Sequence, residues 1–315
     1  MNLNHIKSST LLEIDNLSLS FQMYKGFVEQ QQLEVISNLS VTVHSGEILA
    51  IVGSSGSGKS LLAHAILGIL PENATIKGTL RYKDRILTSS YQEELRGEKL
   101  ALVPQSVSYL DPLMKISGQV IGHKDKSKRK LALKNIFKRL ELEEKTENMF
   151  PFQLSGGMAR RVLVATAVIG DAELIIADEP TPGMQTDQAL EALAIFRKLA
   201  DEGKGIILIT HDIDLALNFA DNVAIFYAGT TLEITPPKDF LDGEHALRHP
   251  YSKALYRAMP QNGFTPLAGL QPYAGTITKG CPFAPRCAEC MEQCKKEIPP
   301  MRKLRDGYVR CYYAT

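Results

Sequence analysis

The chain has 315 residues, 44% of them apolar and 23% charged, and a formal net charge of +1. That length suits one large domain with an appendage, or two domains. The near-neutral charge lacks the basic excess of a nucleic-acid binder, and no run of about 18 apolar residues is present to span a bilayer. The opening MNLNHIKSST has no apolar stretch of a secretory signal, so the chain is expected in the cytosol, where thiols stay reduced.

In chain order, LLEIDNLSLSF alternates apolar and polar residues as a half-buried strand does. EILAIVG is a continuous apolar run ending in glycine, the pattern of a buried strand, and KSLLAHAILGIL follows with helical spacing. EKLALVP reads as another buried strand. The basic run KDKSKRK, Lys124 to Lys130, reads as a solvated loop entering the helix KRKLALKNIFKRLEL. GMARRVLVATAV is a helix, AELIIADEP a buried strand, and DQALEALAIFRKLADEG an amphipathic helix. GKGIILIT and NVAIFYAG are again strands. Strands alternating with helices predict an α/β domain around a largely parallel sheet. From about residue 245 Pro and Gly become frequent, apolar periodicity weakens, and cysteine appears for the first time, at Cys281.

Three motifs carry chemistry. GSSGSGKS (Gly53, Ser54, Ser55, Gly56, Ser57, Gly58, Lys59, Ser60) fits G-x-x-x-x-G-K-[ST] between a strand and a helix. Its glycines let backbone N–H groups curl around a phosphate chain, and the helix adds its positive end. Lys59 can reach the β- and γ-phosphates, and the Ser60 hydroxyl can coordinate Mg²⁺. LIIADE ends a strand in Asp178, suited to an outer-shell Mg²⁺ partner, and Glu179, placed to orient or deprotonate an attacking water. LSGGM opens a helix with Ser155, Gly156 and Gly157, a second anion cradle built from a hydroxyl, bare N–H groups and the helix dipole. One P-loop needs one phosphate cradle, so the second suggests two copies meeting around shared nucleotides.

Taken in order, the P-loop, Gln105 in LVPQS, LSGGM, LIIADEP and His211 in LITHD resemble the ATP-binding subunit of ABC transporters through residues 11–235. SGGM, HPYSKAL (His249 to Leu255) and GCPFAPRC together narrow the resemblance to the peptide and nickel importer ATPases and extend it over nearly the whole chain. The resemblance implies an α/β P-loop NTPase cassette over residues 1–244. Within it stand a RecA-like core, a helical subdomain at about 106–165 and an antiparallel β subdomain, with a small Cys-rich extension over 245–315. It implies that Gln105 touches Mg²⁺ and the attacking water, that His211 contacts the γ-phosphate, and that Phe21 stacks on adenine, with Tyr24 as the lesser candidate. It implies ATP hydrolysis in a nucleotide-sandwich dimer that drives uptake of di- or oligopeptides or nickel complexes. The implied partners are a second, identical or homologous ATPase subunit, two membrane permease subunits and an extracytoplasmic substrate-binding protein, with no nucleic acid. The implied place is peripheral, on the cytoplasmic side of the inner membrane.

Two departures stand out. Gln185 occupies the position where the family carries an aspartate at the dimer interface, with Asp187 two residues on. SVSYLDP, after Gln105, is one residue shorter than the usual form. The rival reading is a soluble ABC-type ATPase acting on a ribosome or DNA. One cassette, and a short segment between Gln105 and LSGGM with no room for a coiled coil, disfavour it.

All five cysteines lie between Cys281 and Cys311. A reducing compartment disfavours disulfides, and an odd count leaves one thiol over. Buried structural thiols and a four-thiolate zinc or iron–sulfur site remain. The resemblance implies a [4Fe–4S] cluster, with Zn²⁺ as the alternative, on Cys281, Cys287, Cys294 and Cys311, leaving Cys290 as the extra thiol.

Overall fold

The computed structural model describes residues 9–25, 29–54, 56–123, 125–272 and 279–314. Two long strands, β1 (Thr10–Lys25) and β2 (Glu29–His44), pair antiparallel, and β1 also pairs with β4 (Ala74–Tyr82). With the short β5 (Arg85–Ile86) they form a four-stranded antiparallel sheet in the order β2-β1-β4-β5. Leu12, Ile14, Leu17 and Leu19 of β1 are buried against Ile36, Leu39, Val41 and Val43 of β2, and this one buried face sets the register.

The second sheet begins with β3 (Ile48–Val52), whose five residues are all buried. Helix α1 (Lys59–Leu67) starts directly after the P-loop and stops at Gly68, which takes the left-handed conformation at φ 66°. After α2 (Ser89–Leu95) comes β6 (Leu100–Val103), and then a helical layer. That layer holds α3 (Ile116–Ile121), α4 (Lys126–Arg139) and α5 (Gly156–Val168). Asp125 caps α4 by accepting from Lys128 N, so the basic run is mostly helix rather than loop. The core strands β7 (Leu174–Asp178) and β8 (Gly205–Thr210) are fully buried. Between them α6 (Thr186–Asp201) turns Ala189, Leu193, Phe196, Leu199 and Ala200 inward, an i, i+3, i+4 stripe. Helix α7 (Ile213–Phe219), β9 (Asn222–Tyr227) and β10 (Thr230–Thr235) follow.

The chain then runs through α8 (Pro237–Asp242), α9 (Pro250–Ala258) and α10 (Glu292–Lys296) to a hairpin of β11 (Arg302–Leu304) and β12 (Gly307–Val309). The second sheet has the order β11-β12-β10-β9-β3-β8-β7-β6. Its β9-β3-β8-β7-β6 part is parallel, as the alternating pattern predicts, and antiparallel strands finish one edge. The C-terminal hairpin thereby extends the same sheet that carries the nucleotide motifs, through Glu233↔Val309 and Ile234↔Tyr308.

A buried ionic cluster ties the two parts. Arg248 Nη1 donates to Glu233 Oε1 at 3.2 Å, Asp239 Oδ2 at 2.7 Å and Thr235 Oγ1 at 2.9 Å, while its Nε donates to Leu304 O at 2.7 Å. The Glu233 carboxylate also accepts from the backbone of Arg248 and His249. The HPYSKAL segment is therefore anchored by the residues at its own entrance.

Candidate functional site

The P-loop connects the C-terminal end of parallel strand β3 to the N-terminus of α1, where α/β sheets place their ligands. Gly53 lies so close to β9 that an added Cβ would stand 2.5 Å from Phe226 O. Gly58 sits at φ 98°, left-handed backbone that an L side chain rarely adopts, with Val35 O at 3.0 Å from its would-be Cβ. These two glycines are required by the turn itself. Ser57 Oγ donates back to Ser54 O at 2.8 Å, closing the loop on itself. Ser55 lies outside the described residues.

Lys59 is buried and folds over this loop, donating from Nζ to Gly53 O at 2.8 Å and Ser54 O at 2.9 Å. Burial pulls its pKa down, and the carboxylates of Glu179 and Asp178 work against that. The ammonium thus stands where a phosphate chain would enter, held by carbonyls that a phosphate can replace. Asp178 ends β7 and is also buried, which raises its pKa; a hydrogen bond with Ser60 opposes the rise. Its Oδ1 is buried without a hydrogen-bond partner among the described residues. An orphaned carboxylate oxygen beside the Ser60 hydroxyl is a donor set of the kind Mg²⁺ takes, so the residues present fit the expected ion.

Glu179 is the point of convergence. Gln105, just past β6, donates from Nε2 to Glu179 Oε2 at 2.9 Å, and His211, just past β8, brings Nδ1 to 3.5 Å from Glu179 Oε1. Three residues far apart in sequence thus meet because β6, β7 and β8 are consecutive in the parallel sheet. Glu179 holds φ 43°, a left-handed backbone for a non-glycine residue, with its N–H fixed on Ile209 O at 2.9 Å. That backbone turns the carboxylate off the strand end toward Gln105 and His211.

Ser155 caps α5 by accepting from Met158 N at 3.3 Å. A Cβ built at Gly156 or Gly157 meets nothing within 4 Å, so this chain's own packing does not require glycine at either position. The cleft they line is bounded by β6, α5, the loop after β7 and α6, with no described P-loop residue on its wall. Phe21 is half-buried, pairs with Leu33 and Ala74, and packs on the apolar core of the antiparallel sheet, whereas Tyr24 is exposed. Gln185 is exposed at the start of α6 with no side-chain capping bond, and Asp187 lies in the first helical turn.

The structure describes all five cysteines. Cys281 and Cys294 are buried in one small apolar cluster with Tyr227, Leu232 and Phe283, and Cys287 and Cys290 pack on its edge. Burial pushes the Cys281 thiol up to about 12 and Cys287 up to about 11, and it raises Cys311 as well. Among the described residues, no group of three or more His, Cys, Asp or Glu side chains is arranged to hold a metal ion. The expected [4Fe–4S] or Zn²⁺ site on Cys281, Cys287, Cys294 and Cys311 finds no support, although these thiols lie near one another in and around that small cluster.

Two participants are not evident from sequence. Arg160 of α5 donates to Gln105 O, and Gln271 of the C-terminal segment accepts from Ser54 Oγ at 2.7 Å. Neither belongs to a motif, and no local pattern announces a contact that depends on how distant loops fold together.

Similarity to known proteins agrees with this geometry. The family described as "ABC transporter" matches residues 36–182, and "Oligopeptide/dipeptide transporter, C-terminal region" matches residues 232–294. The oligopeptide transport ATP-binding protein OppD of Salmonella typhimurium is 31% identical, covering 97% of this chain and 94% of that protein. The dipeptide transport ATP-binding protein DppD of Bacillus subtilis is 32% identical, covering 96% of this chain and 94% of its own. Among solved structures, a dimeric bacterial ABC transporter cassette superposes with a TM-score of 0.63 at 25% identity, covering 72% of this chain and 99% of that one. A post-hydrolysis state of that cassette, bound to ADP and Pi, gives a TM-score of 0.62 with the same identity and coverage of this chain.

Proposed function

The chain belongs to the ABC transporter ATP-binding proteins, in their oligopeptide and dipeptide branch, and from that premise we propose that it powers import of short peptides through a membrane permease. It is an ABC-type ATPase, converting ATP and water to ADP and phosphate. The observation that carries the mechanism is the convergence of Gln105 and His211 on Glu179, beside Lys59, Ser60 and Asp178.

In this reading the P-loop amides and Lys59 hold the β- and γ-phosphates of ATP. Ser60 and Gln105 would hold Mg²⁺, with Asp178 as its outer partner, and the ion would supply charge neutralisation on the phosphate oxygens. Glu179 accepts a proton from the attacking water. Gln105 fixes one carboxylate oxygen of Glu179, and His211 stands at the other, beside the position of the γ-phosphate. Phe21 lies under the adenine. The open space at Gly156 and Gly157 favours a cradle that closes on a nucleotide held by a second ATPase subunit.

No helix among the described residues is long and apolar enough to cross a membrane, so translocation falls to separate permease subunits. Tyr109 and Leu113, just after Gln105, and Phe152, before LSGGM, are exposed apolar side chains on the helical layer and suit that docking. The permease side of the assembly lies in the membrane, with this subunit peripheral on its cytoplasmic face and a substrate-binding protein on the other. Peptide is favoured over nickel as cargo because the relatives named above are peptide transport proteins. The test is uptake of labelled dipeptide, labelled oligopeptide and Ni²⁺ by vesicles holding the assembled transporter, with and without ATP. ATP-dependent peptide accumulation is expected. ATPase activity that ignores the permease and follows ribosomes or DNA would overturn the reading.

A further inference from the structure

Arg160 is bonded in a way its neighbour is not. Arg161, next to it on α5, pairs with the carboxylates of Glu141 and Glu191. Arg160 has no carboxylate partner among the described residues. Its guanidinium is half-buried, and that burial pulls its pKa down. Nη1 donates to Gln105 O at 2.6 Å, and Nη2 makes a longer contact of 3.5 Å to Pro182 O. A guanidinium carries a planar fork of donors and can hold two carbonyls in fixed relation.

Those two carbonyls flank the reacting centre. The side chain of Gln105 donates to Glu179 Oε2 at 2.9 Å, so its backbone is held by Arg160 while its amide holds Glu179. Pro182 belongs to the turn between Glu179 and α6. Arg160 itself rides on the helix whose first residues, Gly156 and Gly157, are the second anion cradle, and it lines the same cleft as they do. One side chain thereby joins the cradle helix to both loops around Glu179.

We propose that Arg160 is a positioning residue that sets the Gln105 amide on Glu179 and transmits movement of the Ser155–Gly157 cradle to that carboxylate. The proposal rests on the reading that the cradle and the P-loop of one chain serve different nucleotides. When the cradle closes on the nucleotide of the neighbouring subunit, α5 moves as a unit and carries the guanidinium with it. The Gln105 carbonyl follows, because a bond from a charged donor at 2.6 Å is short and stiff. The Gln105 amide then shifts against Glu179, so occupancy of one site is felt at the catalytic carboxylate of the other.

The test is a double-mutant cycle in the full chain assembled with its permease, using Arg160→Ala, Gln105→Ala and the pair. Arg160→Ala is expected to lower kcat about tenfold while ATP affinity stays within about twofold and the melting temperature within about 2 °C. In the Gln105→Ala background it should cost nothing further, because the amide it positions is gone. Arg160→Lys should recover part of the loss, since an ammonium reaches one carbonyl without holding the fork. Unchanged kcat in Arg160→Ala overturns the proposal. So do losses that multiply in the double variant, or a kcat loss matched by loss of ATP affinity and melting temperature. If Arg160→Ala does not fold, Arg160→Lys and Arg160→Gln run the same cycle. A wild-type complex that hydrolyses no ATP would contradict the functional reading; one that does, with a multiplicative cycle, contradicts only the role of Arg160.

Discussion

Glu179 holds a left-handed backbone at φ 43° that a glutamate adopts at a cost of about 1–3 kcal/mol. The surrounding sheet sustains it through the Ile209 carbonyl, and the return is a carboxylate aimed out of the strand end at Gln105 and His211. Glu179→Gln keeps shape and removes the base, so ATP binding should survive while turnover falls by about 10²–10⁴-fold, checked by nucleotide binding and phosphate release. Lys59→Ala should act differently, raising the Kd for ATP, because Lys59 supplies charge to the phosphates rather than chemistry. His249 gives a pH signature away from the site. It is fully buried, its Nδ1 accepts from Tyr251 N, its Nε2 has no partner among the described residues, and desolvation holds its pKa at about 3. The unfolded chain takes up that proton from about pH 6.5 downward while the folded chain refuses it. Stability from His249 is therefore complete above about pH 6.5 and is lost at about 1.4 kcal/mol per pH unit as pH falls toward 3. Unfolding free energy by denaturant should therefore fall by about 1.4 kcal/mol between pH 7.5 and pH 5.5 through His249, and His249→Gln should remove that difference.

At the scale of elements, the strand β10 and the entrance to α9 are held by a cluster with no exposed charge. Glu233 is 0% exposed and receives the Arg248 side chain and two backbone N–H groups. Glu233→Ala leaves Arg248 buried with one carboxylate fewer, and a loss of about 3–5 kcal/mol in unfolding free energy is expected by denaturant titration. None of this shows in the sequence of β10, TTLEIT, where a glutamate reads as a solvent-facing residue. The same holds for β2, whose EQQQLEV start is too polar to read as a strand, and for β11 and β12, three residues each. Those strands exist through tertiary pairing, β2 on β1 and the hairpin on β10. By contrast β3, β7 and β8 are buried on both faces, and their unbroken apolar runs are legible from sequence alone. The nucleotide motifs were legible for a related reason. Each sits at the end of such a strand or the start of a helix, so local pattern and chemistry coincide. Clustering of cysteine in sequence does bring the thiols near one another, Cys311 included, but proximity alone does not make a metal site.

At the scale of the whole molecule, the C-terminal region is not a separate bead. Its hairpin completes the nucleotide sheet, Arg286 holds the segment before it through Leu267 O and Ala268 O, and Gln271 reaches Ser54 of the P-loop. Because Gln271 accepts a hydrogen bond from the loop that must receive phosphate, Gln271→Ala is expected to change the ATP affinity of the assembled complex without lowering kcat, as read by nucleotide titration and steady-state turnover. The central claim is that ATP hydrolysis at the Glu179 centre drives peptide entry. It is tested most directly by measuring phosphate release and labelled-peptide accumulation together, in vesicles holding the complete transporter with either wild-type chain or Glu179→Gln. The account predicts that both signals require ATP in the wild type and that both vanish in the variant while ATP stays bound. Peptide accumulation or phosphate release at the wild-type rate with Glu179→Gln would contradict it.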